Sequence, residues 1–551
     1  MKKQWHIWHT RTSECLSPDA IVEALLTKRG YCTEEERHLF LNPRLQNLAD
    51  PFRLPDMLKA VIRVEQALAK KESILIYSDY DVDGMTSAAV LYRFLTSLGG
   101  KVRVFVPDRQ TEGYGLSFSG MERALAEGTK PELFMVLDCG TTSAKEISHL
   151  KSQEIDSIII DHHTIPAIPA EPLAFINPQN TDEDQTLATV GLVFKFCHAF
   201  LKNRQTPNVF DLKKHLDLVA LGTVADLVPL QGDNRILVRQ GLNEMKQTAH
   251  IGLQELMRRA GVKRTPTPGT CGFMLGPRLN ASGRLANARA GFELLVTHDR
   301  SFARKLTDQL ETLNRERQAI EQAVLEEAEI QAIEYMKEHD RVIVVASRAW
   351  HQGVIGIVAS RLLKRYHRPS IIISINENGK GKGSSRSIEG CSMIDLLNAC
   401  KSSLLLYGGH AMAAGIEIEE GKIDSFRVTC NEWLNQHISA EAFKPSLKID
   451  FFLRGNELTE ELVSSMIQLE PFGQQNQAPV FMVSQVRTIT SRPFGNKHLK
   501  LTLEANGNRF DAIAFNMADT YPKTSFFNIA GHWEWDEFTD TPNFRILDWQ
   551  S

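Results

Sequence analysis

Between Ser73 and Ile160 the chain alternates short, continuous apolar runs with stretches of helical length. Ser73–Ser78, Val102–Val106, Leu133–Leu137 and Ser157–Ile160 read as strands, and Gly84–Leu98 reads as a helix. Strands that are apolar along their whole length are those buried on both faces, with intervening helices as the cover. The pattern predicts a parallel, doubly wound α/β sheet. From Phe302 onward, Leu306, Leu310, Leu313, Ile320 and Val324 fall mostly three, four or seven apart, in a segment free of Pro and Gly. That spacing predicts one long amphipathic helix joining two domains. The α/β texture resumes at Arg341, with strands over Val342–Ala346 and Ile371–Ile375 and a helix over Val354–Tyr366. Near the C-terminus, Lys448–Leu453, Val480–Val483 and Leu499–Leu503 are strand-like runs separated by turn signals, which predicts a small β-barrel. Residues 1–70 read as helical and polar, with irregular stretches around Asn42-Pro43 and Asp50-Pro51. The expected architecture is therefore α/β. It has an N-terminal extension (1–70), a first α/β domain (71–300), a linker helix (301–338), a second α/β domain (339–440) and a C-terminal barrel (445–551).

The composition constrains the chemistry only loosely. With 551 residues, 42% of them hydrophobic, the chain has apolar material for several cores. A net charge of −4 means that any nucleic-acid surface must be a local basic patch. The eight cysteines are scattered without a C-x-x-C pair, which argues against a zinc ribbon or a disulfide framework. The first residues lack the apolar core of a signal peptide, and no apolar run approaches the ~18 residues of a membrane span. The expectation is a cytoplasmic protein.

The ends of the predicted strands carry the chemistry. Ser78-Asp79-Tyr80-Asp81-Val82-Asp83-Gly84 places three carboxylates directly after an apolar strand. The carboxyl ends of strands form the ligand crevice of an open α/β sheet. Bunched carboxylates repel one another, and hard oxygen donors suit Mg²⁺ or Mn²⁺. A calcium-binding EF-hand would need flanking helices and a Glu where the chain has Val90, so that reading fails. Asp138 ends the next run, Asp161-His162-His163 ends another, and Asp226 stands among apolar neighbours where a lone carboxylate needs a partner. Such a set could hold two cations about 3.5–4 Å apart, the arrangement for in-line displacement at phosphorus.

These motifs resemble the DHH phosphoesterase superfamily and, within it, the RecJ family of 5′→3′ exonucleases specific for single-stranded DNA. They occur in the family's order: SDYDVDG, LDCGTT, DHH, GTVADLVPL, GPRLNASGRL, HQGVIGIVASRL, KGSSRS, GGHAMAAG and LEPFGQQNQAPVF. The resemblance implies a DHH domain, a DHH-associated domain and an OB-fold barrel, acting in DNA repair and recombination on a strand threaded between the two α/β domains. It implies two Mn²⁺ or Mg²⁺ ions, with Asp81 on one, Asp83 on the other, Asp138 bridging, and His162 and Asp226 as further ligands of the second ion. Asp79 would ligate or support. Related pyrophosphatases carry a His where this chain has Tyr77, so Asp79 or water would complete the first ion's shell. His163 and His410 would face the scissile phosphate, with Asp138 in the catalytic set. Arg109, Arg278, Asn280, Ser282 and Arg284 would grip the DNA backbone from polar loops, and Tyr114 could stack on a base. His351, Ser384, Arg386, Gly408 and Gly409 would hold phosphate in the second domain, where glycine-rich turns make anion nests. Arg492, Phe494, Lys497, His498 and Lys500 fit a basic, aromatic face on the barrel. A single-strand-binding protein, a repair helicase and a monomeric state are the further expectations. A small-substrate DHH enzyme is the rival; the barrel and N-terminal extension favour a long polymer.

Overall fold

The computed structural model describes residues 3–7, 15–109, 111–113, 115–180, 186–204, 210–336, 339–536 and 539–551, which leaves Tyr114 outside the described residues. The chain forms two compact units. The larger comprises residues up to 314, apart from the N-terminal strand, together with residues 451–551. The smaller comprises residues 315–450 with the strand Gln4–Ile7. The 36-residue helix Arg300–Tyr335 runs from one into the other.

The larger unit holds a five-stranded, wholly parallel sheet in the order Lys101–Phe105, Ser73–Ser78, Leu133–Leu137, Asp156–Ile160, Ala174–Ile176. Every residue of Leu133–Leu137 is fully buried, as its unbroken apolar sequence requires. The last strand, Ala174–Ile176, is only three residues long and escapes detection in the sequence. Helix Val82–Ser97 is buried over most of its length, packed against helices Thr189–Arg204 and Leu216–Ala225.

The barrel belongs to the same unit. Its strands run in the order Phe451–Leu453, Phe481–Phe494, His498–Ala505, Asn508–Ala514, Thr541–Gln550, Phe527–Asp536, and the last pairs back onto Phe481–Val486 to close the sheet. In His498–Ala505, Leu499, Leu501, Leu503 and Ala505 are buried while Lys500 is exposed, the alternation of a strand with one wet face. The barrel docks on the first domain through LEPFGQQNQAPVF. Buried Arg235 donates from Nε to Phe40 O (2.9 Å), from Nη1 to Leu469 O (3.0 Å) and from Nη2 to Gln468 O (3.1 Å). Leu230 N donates to Gln474 O at 2.8 Å. Asn476 Nδ2 ties Leu469 O and Pro471 O together, and Arg29 Nη1 donates to Asn476 Oδ1 at 2.6 Å.

The smaller unit holds a mixed sheet in the order Leu404–Gly409, Ala413–Glu419, Lys380–Arg386, Ser370–Ile375, Ile343–Ser347. Only its last pair is parallel. Three local readings of the sequence need correction. The run Lys448–Leu453 is not one strand: it breaks at Asp450 into Ser446–Ile449, parallel to Gln4–Ile7, and Phe451–Leu453, on the barrel. The GPRLNASGRL segment is a helix, Gly276–Leu285, because Pro277 sits in its first turn and Leu279 and Ala281 are buried. Lys382–Arg386 lies within a strand, not in a loop after one, with Gly381 and Gly383 packed so closely on Ile373 and Ile416 that a Cβ would lie 2.6 Å away.

Candidate metal centre

Strand order brings the acids together. The order of strand addition reverses between Ser73–Ser78 and Leu133–Leu137, since the next strand in sequence, Lys101–Phe105, lies on the other side of Ser73–Ser78, and a crevice opens at such a reversal outside the carboxyl ends. The backbone ladder continues one step past the strands: Asp79 N donates to Leu137 O, Asp138 N to Ile160 O and Asp161 N to Ile176 O, each at 3.1 Å. Three acids are thus fixed in register at the tips of neighbouring strands. The chain then turns sharply. Asp81 caps helix Val82–Ser97, its Oδ1 accepting from Gly84 N at 3.0 Å. Asp138 adopts φ 60°, a conformation costly for a non-glycine residue and concentrated at functional sites. Asp226 arrives from a different direction, at the end of helix Leu216–Ala225. Gly222 permits that approach, since a Cβ there would lie 2.3 Å from Thr86 Oγ1.

Three overlapping groups have ligand atoms within 4.8 Å of one another: Asp79, Asp81 and Asp138; Asp83, His162 and Asp226; and Asp138, His162 and His163. His162 Nε2 lies 3.6 Å from Asp138 Oδ1 and 3.4 Å from Asp226 Oδ2. Asp83 accepts from Thr189 N (2.7 Å) and Val190 N (2.9 Å), and Thr189 Oγ1 donates to Asp138 Oδ1 at 2.9 Å. Asp161 is a holder. Its Oδ1 accepts from His162 N (2.8 Å) and His163 Nδ1 (2.7 Å), and its Oδ2 from Thr141 Oγ1 (2.6 Å).

The electrostatics separate these roles. Burial, then the charge of Asp81, pushes the Asp79 carboxyl well above the usual carboxylate range. Burial and neighbouring carboxylates, Asp83 foremost, do the same to Asp138. Burial, then the charge of Asp81, raises Asp83 to about 7, and burial, then the charges of Asp83 and Asp81, raises Asp226 to about 9. Burial also opposes ionisation of Asp161, yet hydrogen bonds from His163 and Thr141 outweigh it and bring the group to about 2. Burial and the neighbouring His163 lower His162 to about 4, so it is a neutral imidazole at neutral pH. His163 is the reverse: its burial is overcome by the bond to Asp161, which raises it to about 9.

This donor set fits a pair of divalent cations. Asp79 Oδ1 and Asp226 Oδ2 are buried without a hydrogen-bond donor among the described residues. Buried oxygens left this way carry a large desolvation cost unless a cation meets them. Oxygen-rich groups with one neutral imidazole suit Mn²⁺ or Mg²⁺.

The remaining sequence candidates divide by place. Arg109 lies beside the cluster, its guanidinium 5.5 Å from the Tyr80 ring centroid and its charge acting on Asp79. Arg284 acts on Tyr80 as well, and Gly283 packs close enough to Tyr80 O that a Cβ would lie 2.9 Å away. Asn280 is half-buried on the same helix. Arg278 is bound to Glu311 (Nε–Oε2 2.7 Å) and Met274 O, and buried Ser282 donates to Leu279 O at 2.8 Å. In the smaller unit, Arg386 donates from Nη1 to Ser384 Oγ (3.2 Å) and Ser385 O (2.8 Å), and His351 Nδ1 accepts from Gly353 N at 3.0 Å. Gly408 and Gly409 end a strand, and exposed His410 turns the hairpin, its N donating to Ala413 O at 2.8 Å. On the barrel, Phe494, His498 and Phe515 form an aromatic group with centroids 5.2–6.0 Å apart. Sequence reasoning misses Asn177, which is fully buried and donates to His163 O (2.9 Å) and Thr141 Oγ1 (3.3 Å). It stands one step past the three-residue strand, a signal too short to register.

Comparison with known proteins agrees with this geometry. Residues 73–223 match the DHH family N-terminal domain, 339–436 the DHHA1 domain and 449–547 the RecJ OB domain. The chain is 35% identical to the single-stranded-DNA-specific exonuclease RecJ of Dickeya dadantii, over 92% of this chain and 91% of that one. It is 35% identical to the RecJ of Bacillus subtilis over 92% of its length, spanning 64% of that longer protein. The crystal structure of Thermus thermophilus RecJ in complex with Mn²⁺ superposes over 100% of this chain and 79% of that one, with a TM-score of 0.84 at 26% identity. A RecJ complex with Mg²⁺ from the same organism gives a TM-score of 0.78. The chain belongs to the RecJ family of single-stranded-DNA-specific exonucleases.

Proposed function

We propose that the protein hydrolyses single-stranded DNA from its 5′ end, releasing 5′-mononucleotides, in DNA repair and recombination. The observation that carries this reading is the pair of donor groups, Asp79–Asp81–Asp138 and Asp83–His162–Asp226, adjoining through Asp138 and His162. Bound Mn²⁺ or Mg²⁺ would supply charge neutralisation and an activated water for in-line attack at phosphorus. The chain's own residues prepare the place. Asp79, Asp81, Asp83, Asp138, His162 and Asp226 hold the ions. Asp161 fixes the His163 ring through Nδ1 and keeps it cationic, so His163 meets the phosphodiester as a donor and a charge. Asn177 holds the His163 backbone. Arg109 and Arg284, at the rim, bind the phosphate backbone; Asn280, Arg278 and Ser282 shape the helix that carries Arg284.

In the smaller unit, His351, Ser384, Arg386, His410, Gly408 and Gly409 bind phosphate of the strand. Arg386 and Ser384 suit a terminal 5′-phosphate. The enzyme works as a monomer in the cytoplasm, with a single-strand-binding protein and a repair helicase as partners. Free thiols and the absence of any described helix apolar enough to cross a membrane support that setting. The test uses end-labelled single- and double-stranded DNA with Mn²⁺, Mg²⁺ or chelator, beside Asp138→Ala. Loss of the single strand alone, from its 5′ end, is expected, abolished by chelator and by the substitution. Activity that survives both overturns the reading.

A further inference from the structure

Two large apolar side chains stand in solvent on the two elements that meet where helix Leu216–Ala225 delivers Asp226. Leu227 follows Asp226 directly, is 72% exposed and has φ 63°. A helix that ends in the left-handed region normally places Gly or Asn there, so a branched, exposed leucine is costly on two counts. Phe273 is 84% exposed on the π-helical turn Thr270–Leu275, whose Cys271 and Leu275 point inward and are fully buried. π-turns also cost helical stability and gather at functional sites. The two elements touch. A Cβ on Gly272 would lie 3.9 Å from Val224 Cγ1, and one on Gly276 would lie 3.7 Å from Ala225 Cβ, in the helical turn that delivers Asp226.

We propose that Leu227 and Phe273 form an apolar rim on which the bases of the unpaired strand stack as its phosphates enter the acid cluster. The proposal rests on the functional reading above and adds a reason for selecting single strands. A duplex hides its base faces in the helical stack, whereas every unpaired base has a free π-face. Leu227 follows Asp226 directly, so the rim would adjoin the acid cluster. Neither residue touches the reacting atoms; both are positioning residues.

The test reads binding rather than hydrolysis. Fluorescence anisotropy in chelator compares the full chain with Phe273→Ala, Phe273→Trp and Leu227→Ala on labelled oligo-dT and on an abasic strand of equal length. Phe273→Ala should weaken oligo-dT binding about tenfold, within the range for loss of one stacking partner. Phe273→Trp should restore it, Leu227→Ala should give a smaller loss, and the abasic strand should bind weakly and equally to wild type and Phe273→Ala. Thermal melting of each variant reports its fold, and Phe273, being exposed, should melt unchanged as Ala. Undiminished oligo-dT binding by Phe273→Ala, an equal loss on the abasic strand, or wild-type indifference to the bases overturns the proposal. Base-dependent binding in a protein without nuclease activity would instead sink the hydrolytic reading and leave this one standing.

Discussion

Two places in the larger unit bury charge, and they do so in opposite ways. At the clasp between barrel and first domain, Arg235 is 2% exposed, its donors meet three backbone carbonyls, and its guanidinium sits 3.7 Å from the Phe40 ring centroid. Burial still lowers it to about 9, but the charge has partners. In the acid cluster, burial and neighbouring carboxylates raise Asp79, Asp83, Asp138 and Asp226, and two of their oxygens have no donor among the described residues. A buried charge whose hydrogen bonds are complete is a structural device; one left incomplete requires something the chain does not supply. Asp161 marks the boundary inside the cluster, since it is as buried as its neighbours yet fully bonded and easily ionised.

The largest expected effect breaks this contrast from the acidic side. Asp138→Ala should lower exonuclease activity by more than about 10³-fold, beyond the loss usual for one electrostatic group. In chelator the same variant should melt at or above the wild-type temperature, because a repelled carboxylate has been removed. Arg235→Leu should do the reverse. Three hydrogen bonds to backbone carbonyls are lost, at roughly 1 kcal/mol each, so stability should fall by about 3 kcal/mol in urea unfolding while activity per folded molecule is kept. If both variants lose both properties, completeness of hydrogen bonding does not separate site from scaffold.

Cation binding gives the next measurement. Saturating Mn²⁺ should stabilise the wild type by about 2.7 kcal/mol at a hundredfold excess over its dissociation constant, read as a rise in melting temperature. Asp138→Ala should lose most of that rise and Arg235→Leu should keep it. An equal rise in all three proteins would place the cations elsewhere.

Much of this was legible in the chain because a carboxylate at the end of an apolar run is a visible event in sequence. Asp79, Asp138 and Asp161 announce themselves this way, and parallel strand order then makes them neighbours. What was not legible depends on backbone partners far away. The PFGQQNQAP stretch is conspicuous, but nothing local says that Leu469 O and Gln468 O await Arg235, more than two hundred residues upstream. The division of Lys448–Leu453 at Asp450 is equally hidden, since each half is stabilised by a different, distant strand. Gly276–Leu285 looked like a loop because glycine, serine and asparagine favour turns, and burial of Leu279 and Ala281 overrides that preference. The inward turn of Ser282 follows from the helix and could not be read before it.

A third buried group lies between the two extremes and offers the smallest effect. Asp217 Oδ2 accepts from His250 Nδ1 (2.8 Å) and from Thr248 Oγ1, His250 Nε2 meets His215 Nδ1 at 3.0 Å, and the Phe210 ring stacks on His215 with centroids 4.4 Å apart. Burial, then His250 and Arg93, lowers His215 to about 3. The unfolded chain, with an ordinary imidazole near 6.5, therefore binds a proton that the folded protein refuses between these values. Stability from this group is complete above about pH 6.5 and declines as the pH falls toward 3. By pH 5 the loss should be about 2 kcal/mol relative to pH 7.5. His215→Gln keeps a donor for His250 Nε2 and cannot titrate, so its urea midpoint should fall less over the same interval. Carboxylates contribute equally to both proteins and cancel in the difference. Parallel pH profiles would mean that the chain of partners carries the proton without cost, and that a histidine buried with partners behaves like Arg235 and not like the acids.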